Sequence, residues 1–214
     1  MEKKKLVIIG AGGLGREILF MLLDINKKNN CYDILGFIDN TPELQNKIIN
    51  NFPVLGDDSW LHNYNDNIDV TIAVGTPQTK KQIYERFSYK KNISFPTIIE
   101  NDVKYSDTVM IGKGCIIGYH STLLANIFLG DFVLLNHNCA IGHDVKLESF
   151  VTLYGNVSVS GNVTIGSCAE IGNGTRILQN KTIGENSKIG IGSVVIRNVP
   201  PNCTVFGNPA KRVF

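Results

Sequence analysis

From residue 111 onward an aliphatic side chain returns at every sixth position: Ile111, Ile117, Leu123, Leu129 and so on through Ile189 to Val195. Fifteen positions hold this register without a slip. A helix repeats every 3.6 residues and a flat strand every two, so neither accounts for a period of six. A hexad repeat is the signature of a parallel β-helix, in which each hexad forms one side of a triangular prism and one sizeable side chain per side points inward. Three hexads make a coil, so fifteen predict five coils and, at roughly 4.8 Å per coil, a column about 24 Å tall. Small or β-branched residues stand four beyond many anchors, as at Ser121, Val133, Val145, Val151, Val157 and Val163. Glycine follows the anchor at Gly112, Gly118, Gly130, Gly142, Gly166, Gly172, Gly184 and Gly190, where it is expected to supply the positive φ that some corners need. Pro200-Pro201 should end the repeat, since proline cannot donate to a ladder.

The first half has other periods. Leu6 to Ile9 reads as a buried strand, and Arg16 to Asn26 carries apolar residues at near-helical spacing. Ile34 to Ile38 and Val70 to Val74 read as further strands, and Gln78 to Tyr89 as a helix. This β-α-β succession predicts a small parallel sheet with helices on its faces. The Asn-rich stretch from Glu43 to Asp66 has no legible pattern. The expected organisation is a Rossmann-like domain over residues 1–100 and a left-handed parallel β-helix over 101–214, an α/β unit followed by an all-β one.

Composition narrows the function. A net charge of +2 gives no electrostatic footprint for nucleic acid, and Lys3, Lys4 and Lys5 read as a solvated N-terminus. No apolar run approaches the ~18 residues of a membrane span or forms a signal-peptide core. The five cysteines include no C-x-x-C pair, which argues against a metal or redox site and suggests reduced thiols in the cytoplasm.

The hexad array, with the closing segment Gly207-Asn208-Pro209-Ala210-Lys211, resembles the left-handed β-helix acyltransferases. Together with Gly10-Ala11-Gly12-Gly13-Leu14-Gly15, the whole chain resembles the bacterial sugar acetyltransferases that carry a small nucleotide-binding domain before the β-helix. Those include nucleotide-4-amino-sugar N-acetyltransferases and sialic acid O-acetyltransferases. The resemblance implies a homotrimer that binds acetyl-CoA in a groove between neighbouring β-helices. It also implies acetylation of the 4-amino group of a nucleotide-linked 4-amino-4,6-dideoxy sugar. O-acetylation of a sialic acid and a non-catalytic, nucleotide-sensing β-helix are the alternatives.

Acetyl transfer needs a base near neutral pH, and histidine is the natural choice. Of the four histidines, His62 lies in the unpatterned stretch and reads as surface, while His120 and His137 read as coil residues. His143 is followed by Asp144, and a neighbouring carboxylate orients an imidazole and favours its protonated form. The resembled enzymes carry a His-Glu pair in this hexad, so His143 and Asp144 are the expected catalytic pair. Gly161 follows His143 by eighteen residues, one coil on, and the resemblance gives its backbone N–H to the thioester carbonyl as an oxyanion donor. By the same resemblance Thr152, Gly161, Asn173, Ile191 and Lys211 contact acetyl-CoA, with Thr152 replacing a histidine frequent in the family.

Gly10, Gly12 and Gly15 satisfy G-x-G-x-x-G after a strand and before a helix, and Asp39 ends the next strand, as in a dinucleotide site. The short N-terminal half and the absence of a hydride-transfer domain favour a nucleotide-sugar instead. The resemblance assigns that substrate to Gly12, Gly13, Leu14, Asp39, Asn40 and Gly75.

Overall fold

The computed structural model describes residues 3–213. It divides into two compact units: one runs to Gly75 and resumes over Thr79–Ile98, the other comprises Thr76–Gln78 and the chain from Ile99 onward.

In the first unit, β1 (Lys4–Ile9) leads through α1 (Gly13–Asn29) to β2 (Tyr32–Ile38). Leu6, Val7, Ile8 and Ile9 are all buried, as in a central parallel strand covered on both faces. Helix α1 outruns the periodic stretch at both ends and stops at Asn30, which turns left-handed and returns its N–H to Asn26. The Asn-rich stretch folds into a 3₁₀ turn at Pro42–Leu44, an antiparallel hairpin of β3 (Ile48–Ile49) and β4 (Phe52–Gly56), and α2 (Asp58–Asn63). Its asparagines explain the missing pattern: Asn46, Asn50 and Asn51 adopt positive φ in tight turns, where alternation has no meaning. After β5 (Ile68–Ile72), α3 (Pro77–Phe87) leads to β6 (Ile93–Ser94).

The sheet order is β3-β4-β2-β1-β5-β6. The chain leaves β1 toward β2 and comes back on the other side of β1 as β5, both pairings parallel. The carboxyl ends of β1 and β5 therefore flank a topological switch point, the place where open α/β sheets take ligands.

The second unit is the β-helix. Each hexad contributes a two-residue strand, and each strand pairs in parallel with the one eighteen residues on: Ile117 with Leu135, Leu135 with Leu153, Leu153 with Ile171. Three parallel sheets result, one per side of the prism. The anchors from Ile117 to Val195 are buried, and Val133, Val145, Val151, Val157 and Val163 fill the space between them.

Three features differ from the sequence expectation. The stack starts two hexads early, because the Glu100 N–H donates to the Ile117 carbonyl and Lys104 pairs with Thr122. Turns begin at Ile99, Ile117, Leu135, Leu153, Ile171 and Ile189, six rather than five; the first escaped notice because Tyr105 holds one of its anchor positions. The glycines after the anchors do not supply positive φ. That conformation falls two residues later, most often on asparagine, at Asn126, Asn138, Asn156, Asn162, Asn180 and Asn186, and elsewhere on glycine, His120, Phe132, Asp144, Phe150 and Cys168. The anchor-following glycines answer to close approach: a Cβ on Gly166 would lie 2.6 Å from the backbone nitrogen of Glu185 in the next coil. Pro200-Pro201 breaks the period without ending the stack, since Val199 bridges Ile183 and Thr204–Phe206 pairs with Lys188–Ile189. An antiparallel strand, Lys211–Arg212, then closes the sheet.

These roles separate by mutation. Gly166→Ala should cost about 1–3 kcal/mol through overpacking of the next coil, whereas Asn180→Gly, which keeps the left-handed corner, should cost less than about 1 kcal/mol. Urea unfolding midpoints measure both, and an unshifted midpoint for Gly166→Ala would refute the close-approach account.

Candidate active site

His143 and Asp144 occupy the second and third positions past the anchor Ile141, on an exposed corner of the prism. Asp144 takes the left-handed corner conformation at φ 58°. Adjacent residues rarely aim side chains at each other, but this corner turns the carboxylate back, and His143 Nδ1 lies 2.7 Å from Asp144 Oδ2. The shorter aspartate therefore makes the direct contact. That bond and a second from Asn126 hold the Asp144 carboxyl below its ordinary value. An ionised carboxylate only accepts, so Nδ1 carries a proton, and in the neutral form of the ring the lone pair stands on Nε2.

Nε2 faces the next coil. A Cβ on Gly161 would lie 2.5 Å from Nε2 and 2.6 Å from Cε1, so only glycine leaves the imidazole its place. Gly161 accepts from Asn180 through its carbonyl, while among the described residues its own N–H enters none of the coil-to-coil hydrogen bonds. A buried glycine thus offers an uncommitted N–H beside an imidazole with a free lone pair, the two functions that acyl transfer requires.

The five positions assigned to acetyl-CoA do not share one environment. Asn173 is half-buried, and Ile191, one coil further along the same corner, is 66% exposed. Lys211 is exposed on the closing strand. Gly161 sits at the next corner with His143. Thr152 is fully buried on its strand, sealed from solvent unlike Asn173, Ile191 and Lys211.

The remaining histidines have partners of their own. His62 faces Tyr89 at 3.3 Å and lies against Phe87. His120 pairs through Nδ1 and its backbone N–H with Asp102, one coil below. His137 is held by the Asn136 amide oxygen, and its ring lies over Gly155 as that of His143 lies over Gly161. The eighteen-residue spacing contained this second histidine-over-glycine station, which sequence reasoning did not pair.

In the first unit, the glycine loop stands at the switch point. Gly10 has φ 101°, and a Cβ on Gly15 would overlap the Gly10 carbonyl, which fixes both as glycine. Gly12 and Gly13, at the start of α1, have nothing within 4 Å of where a Cβ would stand, leaving the helix N-terminus open to an anion. Leu14 is half-buried and Asn40 exposed, its amide oxygen accepting from the Asp58 N–H. Gly75 lies just past β5. Asp39 binds the loop itself: Oδ2 accepts from the Ala11 N–H at 2.8 Å and Oδ1 from the Thr41 N–H at 2.9 Å. Burial pulls its carboxyl up, and these hydrogen bonds outweigh that and hold it below its ordinary value.

The second unit is thus a hexad prism carrying a histidine-carboxylate pair over a glycine, and a Rossmann-like unit precedes it in the chain. Comparison with known proteins bears on this directly. The PglD N-terminal domain family matches residues 5–87. The acetyltransferase domain of PglB from Neisseria gonorrhoeae, solved in complex with acetyl coenzyme A, is 31% identical with a TM-score of 0.90, covering 99% of this chain and 100% of that one. WeeI from Acinetobacter baumannii AYE is 25% identical with a TM-score of 0.88, covering 99% and 100%. PerB from Caulobacter crescentus, solved with CoA and GDP-perosamine, shares the fold at 24% identity and a TM-score of 0.88, covering 98% and 97%. No curated protein sequence matches. The chain belongs to the acetyltransferase family of the PglB domain.

Gly161→Ala should lower kcat on the order of 10²-fold by displacing the imidazole, with an unfolding midpoint near that of the parent. Parental kcat would show that the ring need not rest on Gly161.

Proposed function

We propose that this chain moves an acetyl group from acetyl-CoA to the 4-amino group of a nucleotide-linked 4-amino-4,6-dideoxy sugar, in the making of bacterial surface glycans. The observation that carries the reading is the His143 imidazole, oriented by Asp144 and seated on Gly161. The acceptor nitrogen attacks the thioester carbonyl as Nε2 of His143 removes its proton. The Gly161 N–H stabilises the oxyanion that forms. Collapse breaks the C–S bond, and the imidazolium returns its proton to the departing thiolate. Asn173, Ile191 and Lys211 contact acetyl-CoA. Gly12, Gly13, Leu14, Asn40 and Gly75 take up the nucleotide of the acceptor at a loop shaped by Asp39. The acetyl coenzyme A of the gonococcal domain and the GDP-perosamine of PerB support this pairing of donor and acceptor.

CoA release measured across a panel of nucleotide-amino-sugars tests the reaction. His143→Ala should lose roughly 10²–10⁴-fold in kcat, the usual worth of a general base, with KM for acetyl-CoA nearly unchanged. Free nucleoside diphosphate should compete with the acceptor and leave acetyl-CoA kinetics alone. Parental activity in His143→Ala would move the base elsewhere, and turnover of free sialic acid without nucleotide competition would favour O-acetylation.

We also propose a homotrimer. Leu178 and Ile196 stand in adjacent coils on one side of the prism, 48% and 42% exposed, and Leu124, 51% exposed, stands three coils before Leu178 on the same side, apolar surface suited to burial against another copy. Reduced cysteines, all five free, fit work in the cytoplasm, and no described helix is long and apolar enough to cross a membrane. Sedimentation should give three times the chain mass; an active monomer would overturn the assembly.

A further inference from the structure

Asp144 is held at both oxygens. Oδ2 takes the His143 contact at 2.7 Å, and Oδ1 accepts from Asn126 Nδ2 at 3.0 Å. Asn126 stands one coil earlier at the same corner, with the same left-handed φ of 58°. Its own N–H donates to Thr108 Oγ1 at 2.8 Å, and Thr108 Oγ1 shares a 2.7 Å hydrogen bond with Ser106 Oγ. A line of hydrogen bonds therefore runs across three coils, from Ser106 through Thr108, Asn126 and Asp144 to the imidazole.

The far end of that line has chemical consequences. Asp144 lies on an exposed corner, where an untethered carboxylate would rotate among rotamers and share its lone pairs with water. One bond to His143 restrains the pair only relative to each other. A second, from a neighbouring coil whose backbone is laddered in place, ties the carboxylate plane to the prism and so fixes where Nε2 points. The amide orientation is not arbitrary, since a carboxylate oxygen accepts only and must face the NH₂. The bond from Asn126 is also the second-largest influence lowering the Asp144 carboxyl, after that from His143.

We propose that Asn126 is a positioning residue of the acetyl-transfer site, acting on the base through Asp144 rather than by touching either substrate. The proposal rests on the reading of His143 as the base. Asn126→Gly keeps a residue at ease with positive φ and deletes the amide, while Asn126→Asp keeps the shape and sets a second carboxylate against Asp144.

The test is steady-state kinetics of the full chain with acetyl-CoA and a nucleotide-amino-sugar, for Asn126→Gly, Asn126→Asp, Asp144→Ala, the double variant Asn126→Gly/Asp144→Ala, and His143→Ala. Asn126→Gly should lower kcat on the order of 10-fold with both KM values within about twofold, and Asn126→Asp should lower it further. Once Asp144 is gone, Asn126→Gly should have no further effect, because the two act in series. A purely structural asparagine would give the same loss with or without Asp144, and that additivity overturns the proposal. So does parental kcat in Asn126→Gly alongside an inactive His143→Ala. Parental activity in His143→Ala overturns instead the base assignment on which the proposal stands.

Discussion

At Gly130, Gly142, Gly166 and Gly172 successive coils of the β-helix lie so close that a single methyl group would meet the backbone of the next turn. That contact sets everything else in the second unit. The parallel ladders hold residues eighteen apart in vertical register, the close approach requires glycine at those positions, and the left-handed turn falls two residues further on, where asparagine is tolerated. Inward anchors supply the stabilisation, each buried aliphatic side chain contributing about 1.5–3 kcal/mol. The ladder decides where every outward side chain stands, so a side chain on one turn has a fixed neighbour on the turns above and below.

The candidate site uses this rigidity. His143 and Asp144 sit on a corner with ample exposure, conditions under which an isolated ion pair contributes little to stability. Their importance lies in geometry. The left-handed corner folds the carboxylate back onto the ring, the ionised carboxylate settles which nitrogen carries the proton, and the glycine above leaves the other nitrogen free. A groove of about 260 Å³ lined by Thr122, Leu124, Ala140, Gly142 and Ser158 runs along the side of the prism that ends at this corner.

Much of this was legible beforehand because it is periodic. The anchors and the placement of Gly161 one coil above His143 follow from counting in sixes and eighteens, and the His143–Asp144 pair from adjacency in the chain. What escaped follows from departures from the count or from contacts that counting does not weigh. Tyr105 hid the first turn because it is neither aliphatic nor buried. Asn46 to Asn51 hid a hairpin because turn-forming asparagines carry no alternation. Thr152 matched a family position, yet burial is a property of packing that no spacing reveals. Asn126 stood eighteen residues before Asp144 all along, but an asparagine at a corner reads as a turn residue until its amide is seen to point at a carboxylate.

The Asp39 clamp bears on the glycine loop in a further way. Both of its carboxylate oxygens accept from backbone N–H groups, one of them within the loop, while the start of α1 beside it stays open. The loop is thus ordered when the chain folds, so that binding there would cost the protein little conformational entropy. Preorganisation of this kind shows as a smaller unfavourable entropy of binding rather than as an added contact. The acidic residue that the fingerprint reserves for a ribose serves here first as a strut, and what it contributes to affinity is present before any ligand arrives.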